Sequence, residues 1–265
     1  MDWETYWKSR WQQNTSAASE DAYISHYESD LGKSARERQL EYLADEELVN
    51  FIGAKASDVV LDAGCGAGRV VFLMHSSVNR MIGMDYSDSA IERLQGRIRS
   101  KEITNVQVVV GPVTDIPLQD CSVDRVLCMS VLQFLGDREV RKALEEFKRV
   151  LTKNGSLVLH VKNISSVYLL TLWAAKRIKL MLHKQTKLEY LRSFRWYINI
   201  LTASGFDILD YNSLNLLMME MMPKRMILFL RELELRNHNR AFFRSGFIRR
   251  HGSELKIKAG VNKTK

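Results

Sequence analysis

The sequence predicts an α/β domain built on a mostly parallel sheet with helices on both faces. Three observations carry that expectation. Residues 59–69, Val-Val-Leu-Asp-Ala-Gly-Cys-Gly-Ala-Gly-Arg, pass from a β-branched apolar run through three alternate glycines into an apolar segment, which reads as strand, tight turn, helix. Further β-branched runs at 80–85, 106–111, 121–130 and 156–161 alternate with stretches of helical periodicity. A chain of 265 residues with 46% apolar content can bury one full core plus an appendage, and its composition suggests neither disorder nor collagen.

Residues 1–34 hold Trp3, Tyr6, Trp7, Trp11, Tyr23, His26 and Tyr27. Two readings stand open for them, an aromatic lid over a ligand and plain packing of a chain end. From Ala35 to Ile52, Leu40, Leu43, Leu48 and the Phe51-Ile52 pair recur at roughly helical spacing, so this run should pack on the sheet. Gly64, Gly66 and Gly68 then allow left-handed backbone angles and a ligand close to the main chain, while the following helix offers free N–H groups. The turn reads as a cofactor cradle.

Spacing selects the cofactor. A dinucleotide loop is G-x-G-x-x-G, with the pyrophosphate on the helix N-terminus. Here the pattern is G-x-G-x-G, with Asp62 two residues before the first glycine. A carboxylate at that point repels pyrophosphate and suits an ammonium or sulfonium group. The second strand, Arg80-Met81-Ile82-Gly83-Met84-Asp85, ends in an acid 17 residues after Gly68, placed to accept two hydrogen bonds from a ribose diol.

At these residues the sequence resembles the class I S-adenosylmethionine-dependent methyltransferases, specifically their small-molecule branch. The resemblance implies S-adenosyl-L-methionine as cofactor and S-adenosyl-L-homocysteine as product. It also implies a Rossmann-like seven-stranded sheet in the order 3-2-1-4-5-7-6 with the last strand antiparallel. By the same resemblance the loop from Asp62 to Gly68, with Gly64 and Gly66, holds the methionine part and Asp85 the ribose. Tyr86 is read either as lying against the adenine ring or as a half-solvated turn residue.

Residues 86–89, Tyr-Ser-Asp-Ser, offer an N-cap to a helix with Ile91, Leu94 and Ile98 on one face. The third strand, 106–111, leads into Pro112-Val113-Thr114-Asp115-Ile116-Pro117-Leu118, which resembles the family's Gly-Asp-Ala stretch with its following acid, Leu and Pro. It departs at Pro112, where many relatives have an Asp that accepts from the adenine amino group. Adenine recognition therefore falls to the Val113 backbone N–H, with Thr114 or Asp115 as side-chain substitutes.

Residues 121–130 resemble the fourth strand, with a Val-Asp pair where the family has a Phe-Asp type. Ligands of open α/β sheets lie beyond the carboxyl ends of the strands, so Met129, Ser130 and Gln133 fall where methyl group and acceptor should meet. Neither the Asp/Asn-Pro-Pro-aromatic motif of base-amino methylating enzymes nor the double-Glu loop of arginine methyltransferases is present. Asp137 is read as the cap of a helix with Val140, Leu144, Phe147 and Leu151 on one stripe, ended by Asn154-Gly155. Strand five follows at 156–161. His160 and Lys162 lie near its carboxyl end, and His160 is the candidate general base for an attacking hydroxyl, with a histidine packed beside the sheet as the alternative.

Residues 163–193 interrupt the alternation, and in the family an insertion after the fifth strand builds the acceptor pocket. A helix at 194–201 closed by Ser204-Gly205, strand six at 206–211 and a strictly alternating strand seven at 253–258 complete the core. Between the last two strands lies an insert with Met218, Met219, Met221, Met222 and Met226, an apolar 227–230 and many arginines. It reads either as a basic amphipathic helix for an anionic membrane surface or lipid-linked acceptor, or as a core-packed helix with a solvated basic face. The expected organisation is an N-terminal aromatic lid segment (1–34), a methyltransferase core (35–213), a basic Met/Arg-rich insert (214–250) and a final strand with tail (251–265).

The net charge of +8 is concentrated at the C-terminus. Residues 221–265 carry 12 Lys and Arg against 3 Glu, leaving −1 for residues 1–220. With no recognisable RNA-binding module and no regular aromatic interleaving, nucleic acid is a disfavoured partner. Cys65, Cys121 and Cys128 form neither metal-ligand spacing nor an even disulfide set, so the expected compartment is the cytoplasm, with membrane association through the basic insert as a variant. The start lacks the basic and apolar regions of a signal peptide, and the apolar stretch at 167–182 is interrupted by Lys176, Arg177 and Lys179. The expected reaction is methyl transfer from S-adenosylmethionine to an oxygen or nitrogen of a small molecule, whether sugar, lipid-linked glycan or quinone-like metabolite. The alternatives are a non-catalytic cofactor-binding protein and an RNA methyltransferase.

Overall fold

The computed structural model describes residues 35–164, 190–214 and 254–262, together with Phe229, Glu232, Leu233, Arg236 and Arg250. The expected lid segment and nearly all of the 214–250 insert lie outside the described residues, as does most of the 163–193 interruption.

Seven strands form one sheet: β1 (Val59–Ala63), β2 (Arg80–Asp85), β3 (Val106–Val110), β4 (Val123–Met129), β5 (Leu151–Lys162), β6 (Phe206–Leu214) and β7 (Glu254–Val261). Their spatial order is β3-β2-β1-β4-β5-β7-β6, with β1 to β5 parallel and β7 antiparallel to both of its neighbours, as the resemblance implied. Among the described residues five α-helices flank it: α1 (Ala35–Ile52), α2 (Arg69–Met74), α3 (Asp88–Ser100), α4 (Asp137–Val150) and α5 (Phe194–Ala203).

The period-2 geometry of a strand splits the core in two. Val60, Leu127 and Val158 point to one face and join Leu48, Ile52, Val71 and Leu94 from α1, α2 and α3. Leu61, Val126, Leu157 and Leu159 point to the other and join Leu144, Phe147, Tyr197 and Leu201 from α4 and α5. Because both faces are covered, the central strands are near-continuous apolar runs. Ser87 caps α3 by accepting from the Ala90 N–H, Ser193 caps α5 by accepting from the Trp196 N–H, and Gly205 at φ 83° closes α5. No basic residue lies in the last turn of α1; instead Lys258 of β7 donates from Nζ to the carbonyls of Phe51 and Ile52. That charge complements the helix dipole and fastens α1 to the sheet.

The α4 to β5 junction differs from the sequence expectation. Asp137 is the first helical residue, and Gly136 precedes it with its N–H donating to Glu139 Oε2 at 2.7 Å. The helix stops at Val150, and Asn154-Gly155 lies within an extended segment that already begins at Leu151. Leu151 pairs with Val123 and is buried, so the core takes it from a strand instead of a fifth helical turn. Gly155 is a close-approach glycine and not a helix cap: a Cβ there would stand 2.8 Å from Leu151 Cδ2 and 3.1 Å from the Asp124 carbonyl. The other strand boundaries shift by a few residues, β4 starting at Val123 and β6 and β7 extending to Leu214 and Val261.

Candidate active site

The glycine loop joins β1 to α2 through three left-handed residues, Gly64 at φ 86°, Gly66 at 53° and Gly68 at 89°. It is stitched to the end of β2. The Gly64 and Cys65 N–H groups both donate to the Met84 carbonyl, at 2.7 and 2.9 Å, and the Gly66 N–H donates to Asp85 Oδ2 at 2.9 Å. Two of the glycines also serve packing. A Cβ on Gly64 would meet Val131 Cγ2 at 2.2 Å, and one on Gly68 would meet Leu94 Cδ1 at 2.4 Å. A Gly68→Ala protein therefore combines a left-handed alanine with a clash against α3, and should lose about 2–3 kcal/mol of stability. Its urea unfolding midpoint checks this; a midpoint equal to that of the unaltered protein would contradict it.

Asp62 and Asp85 are the electrostatic centre of the site. Both are buried, at 2% and 7% exposure, on neighbouring strands under the loop. Burial, and then the Asp85 charge, push the Asp62 carboxyl up to about 7, with Arg69 acting weakly the other way. Burial also raises Asp85, while the Ser87, Gly66 and Tyr86 backbone N–H groups lower it. Two neighbouring buried carboxylates that form no ion pair among the described residues favour a ligand that brings positive charge. The chemistry of the pair, and the open main chain of the glycine turn, fit the ammonium, sulfonium and ribose of S-adenosylmethionine.

Beside Asp85, the Gly111 N–H donates to its carbonyl at 3.0 Å, so the loop after β3 starts against this acid. Val113 is buried within the α4-side core, and Thr114 is half-buried next to it. This loop is clamped from α4 by residues the sequence reading missed. Glu146 Oε2 accepts the Ile116 N–H at 2.7 Å, while Arg149 donates to the carbonyls of Ile116 and Leu118 and pairs with Glu146 and Asp120. The available signal was a helical Glu/Arg pair three residues apart, which alone says nothing of a loop. Tyr86 stands half-buried between Asp85 and the Ser87 cap.

Across the sheet, the carboxyl ends of β4 and β5 bring Met129 and His160 side by side in register. Ser130 follows Met129 at φ 61°, a left-handed angle unusual for serine, and its N–H donates to the His160 carbonyl at 2.7 Å. Its Oγ is 3.0 Å from His160 Nδ1, and His160 Nε2 is 3.6 Å from Glu254 Oε2 at the start of β7. Gln133 accepts the Tyr190 N–H on its carbonyl. Arg192, buried, donates to the Leu132 and Leu135 carbonyls and to Asp137, and stacks 4.3 Å from the Trp196 ring centroid. Fully buried Asn163 donates to the Arg250 carbonyl and accepts the Phe194 N–H. The places where the chain leaves and rejoins the described core thus converge on the same end of the sheet as the glycine loop.

The family described as "Methyltransferase domain" matches residues 60–155, which run from Asp62 through the loop, both acids and β4. A protein of Encephalitozoon cuniculi (strain GB-M1), named as a methyltransferase, is 33% identical over 177 residues, covering 58% of this chain and 73% of that protein. The chloroplastic 2-phytyl-1,4-beta-naphthoquinone methyltransferase of Arabidopsis thaliana is 32% identical over 116 residues, 42% of this chain and 43% of its own length. Over this protein and over relatives from Streptomyces fradiae, Bacillus subtilis (strain 168) and Mycolicibacterium smegmatis, the match spans less than half of the relative's length. The crystal structure of geranyl diphosphate C-methyltransferase from Streptomyces coelicolor A3(2), with Mg2+, geranyl diphosphate and S-adenosyl-L-homocysteine, superposes with a TM-score of 0.59 at 18% identity, covering 84% of this chain and 81% of that one. Sheet order, glycine loop and paired acids agree with these likenesses, and the chain belongs to the class I S-adenosylmethionine-dependent methyltransferases, among relatives that act on small molecules.

Proposed function

We propose that this methyltransferase acts on an oxygen or nitrogen of a small-molecule acceptor, with a sugar, a lipid-linked glycan or a quinone-like metabolite as the candidate classes. The observation that carries the reading is the Ser130–His160 contact at the carboxyl ends of β4 and β5, one residue from the Val131 side chain that packs on Gly64. A group able to take a proton, held next to the cofactor loop, serves an acceptor that must lose one. S-adenosylmethionine supplies a methyl group already made electrophilic by its sulfonium, and the electron pair stays on sulfur when the bond breaks. The protein's share is alignment, exclusion of water and removal of the acceptor's proton.

In this reading Asp62 and the turn of Gly64, Gly66 and Gly68 hold the methionine part, and Asp85 the ribose diol. Tyr86, the Val113 N–H and Thr114 surround the adenine, and Met129 flanks the methyl group. The quinone-like class draws support from the Arabidopsis relative's name. A lipid-linked acceptor draws support from the C-terminal insert, where Phe229 and Leu233 are helical and exposed, four residues apart and close to Arg236. Among the described residues no helix is long and apolar enough to cross a membrane.

The test is incubation with methyl-labelled S-adenosylmethionine and a host extract, fractionated afterwards into lipid, glycan, protein, RNA and small molecules. Label in the lipid or small-molecule fraction, on oxygen or nitrogen, is the expected result. Label on carbon would overturn the atom assignment, and label in RNA the acceptor class.

A further inference from the structure

We propose that Ser130, His160 and Glu254 form a proton relay in which Ser130 Oγ is the acceptor-facing member. The proposal rests on the methyl-transfer reading above and assigns the acceptor's proton a route. Three strands bring the residues together. Ser130 follows the last residue of β4, His160 is near the end of β5 and Glu254 begins β7, so the topology of the sheet assembles the array at its carboxyl edge.

Both imidazole nitrogens face polar groups of the protein, Nδ1 at hydrogen-bond distance and Nε2 at ion-pair distance. Nδ1 is 3.0 Å from Ser130 Oγ and Nε2 is 3.6 Å from the Glu254 carboxylate. A carboxylate is only an acceptor, so the neutral ring keeps its proton on Nε2, facing Glu254. Nδ1 is then a bare acceptor and receives the Ser130 hydroxyl. Ser130 Oγ keeps lone pairs for an incoming O–H or N–H, and the residue is only half-buried. Its backbone is fixed in the left-handed region by its N–H bond to the His160 carbonyl and by Val131 packed against Gly64. A strained serine over-determined in this way matches the pattern of functional positions.

The proton balance is simple. As the acceptor bonds the methyl carbon, its proton passes to Ser130 Oγ while the Ser130 proton passes to Nδ1. The product is methylated acceptor, serine with its hydroxyl restored and an imidazolium facing the Glu254 carboxylate. Later loss of that proton to water resets the array. Other charged groups on the same face are Lys256, cross-strand from His160, and Lys162, cross-strand from Glu254. Lys256 is in contact with Glu47 of α1, which offsets its charge beside the ring.

Nitrogen NMR of the full-length 15N-labelled protein, with His160→Gln used for assignment, tests the array without any acceptor. The expected result is a His160 ring that carries its proton on Nε2 when neutral, with the Nδ1-protonated form gaining population in Glu254→Ala, which removes the acceptor facing Nε2. A ring protonated on Nδ1 in the unaltered protein, or a tautomer indifferent to Glu254→Ala, would overturn the relay. With whichever extract fraction the unaltered protein labels, Ser130→Ala should transfer about 10²-fold more slowly at unchanged S-adenosylmethionine affinity, with Ser130→Cys, which keeps a proton-carrying side chain without β-branching, faster than Ser130→Ala. Equal rates for Ser130→Ala would also overturn the relay. Absence of label with the unaltered protein would count against the methyl-transfer reading, while the NMR result still decides the array.

Discussion

An Asp62→Asn protein should be more stable than the unaltered one in the absence of cofactor, and much poorer at binding it. The carboxyl of Asp62 is raised from 3.8 to about 7, chiefly by burial. The folded state therefore holds a proton that the unfolded state has lost across the window between those values, and folding stability falls as pH rises through it. Above pH 7 the full penalty applies, on the order of 4 kcal/mol. Asparagine carries no charge to desolvate. The expected gain in melting temperature is several degrees at pH 8 and close to nothing at pH 4. S-adenosylmethionine affinity should drop about 10- to 100-fold, the value of a charge-assisted contact. Scanning calorimetry at the two pH values checks the sign; a gain independent of pH would contradict it. A site that costs stability until its cation arrives is what a cofactor-binding carboxylate looks like in free-energy terms.

The second large effect concerns how α1 is held to the sheet. Glu47 and Lys256 are both nearly fully buried and in direct contact, and Asn212 of β6 donates to Glu47 Oε1 at 3.3 Å. Burial pushes the Lys256 ammonium down to about 7. Removing one partner strands the other charge in a dry interior, so Glu47→Ala and Lys256→Ala should each lose about 3–5 kcal/mol. The double substitution Glu47→Leu with Lys256→Met removes both charges and restores apolar contact with Phe51, whose ring lies 5.5 Å from the ammonium. It should unfold within about 1–2 kcal/mol of the unaltered protein. Urea midpoints of the three variants decide this. Double-variant destabilisation equal to the sum of the singles would show that the two residues act independently.

The parts of the molecule legible in the sequence are those fixed by local geometry. Val59 to Gly68 and Arg80 to Asp85 carry their turn, their strands and their acids within a few residues, and the structure places the turn and both acids toward the carboxyl ends of β1 and β2. The α4 to β5 junction was less legible because Asn154-Gly155 has the composition of a helix cap. The choice between helix and strand at Leu151 depended on Val123 and Asp124, nearly thirty residues away. Strand seven shows the same limit. Its alternation of Glu254, Lys256 and Lys258 with apolar residues reads as a solvated face, yet that face lies under α1 and beside His160, and Lys256 is 3% exposed. Glu146 and Arg149 clamp the loop after β3 through contacts with residues 116–120 that leave no trace in either segment alone.

Titration calorimetry of S-adenosylmethionine into the unaltered chain and into Asp85→Ala tests most directly whether the cofactor is held over the glycine loop. Asp85 anchors the Gly66 and Ser87 N–H groups and faces the place assigned to the ribose diol. Measurable binding by the unaltered chain, weakened at least about 10-fold in an Asp85→Ala protein that still melts cooperatively, is the expected result. Equal affinity in the two proteins would contradict the assignment and move the cofactor away from this loop.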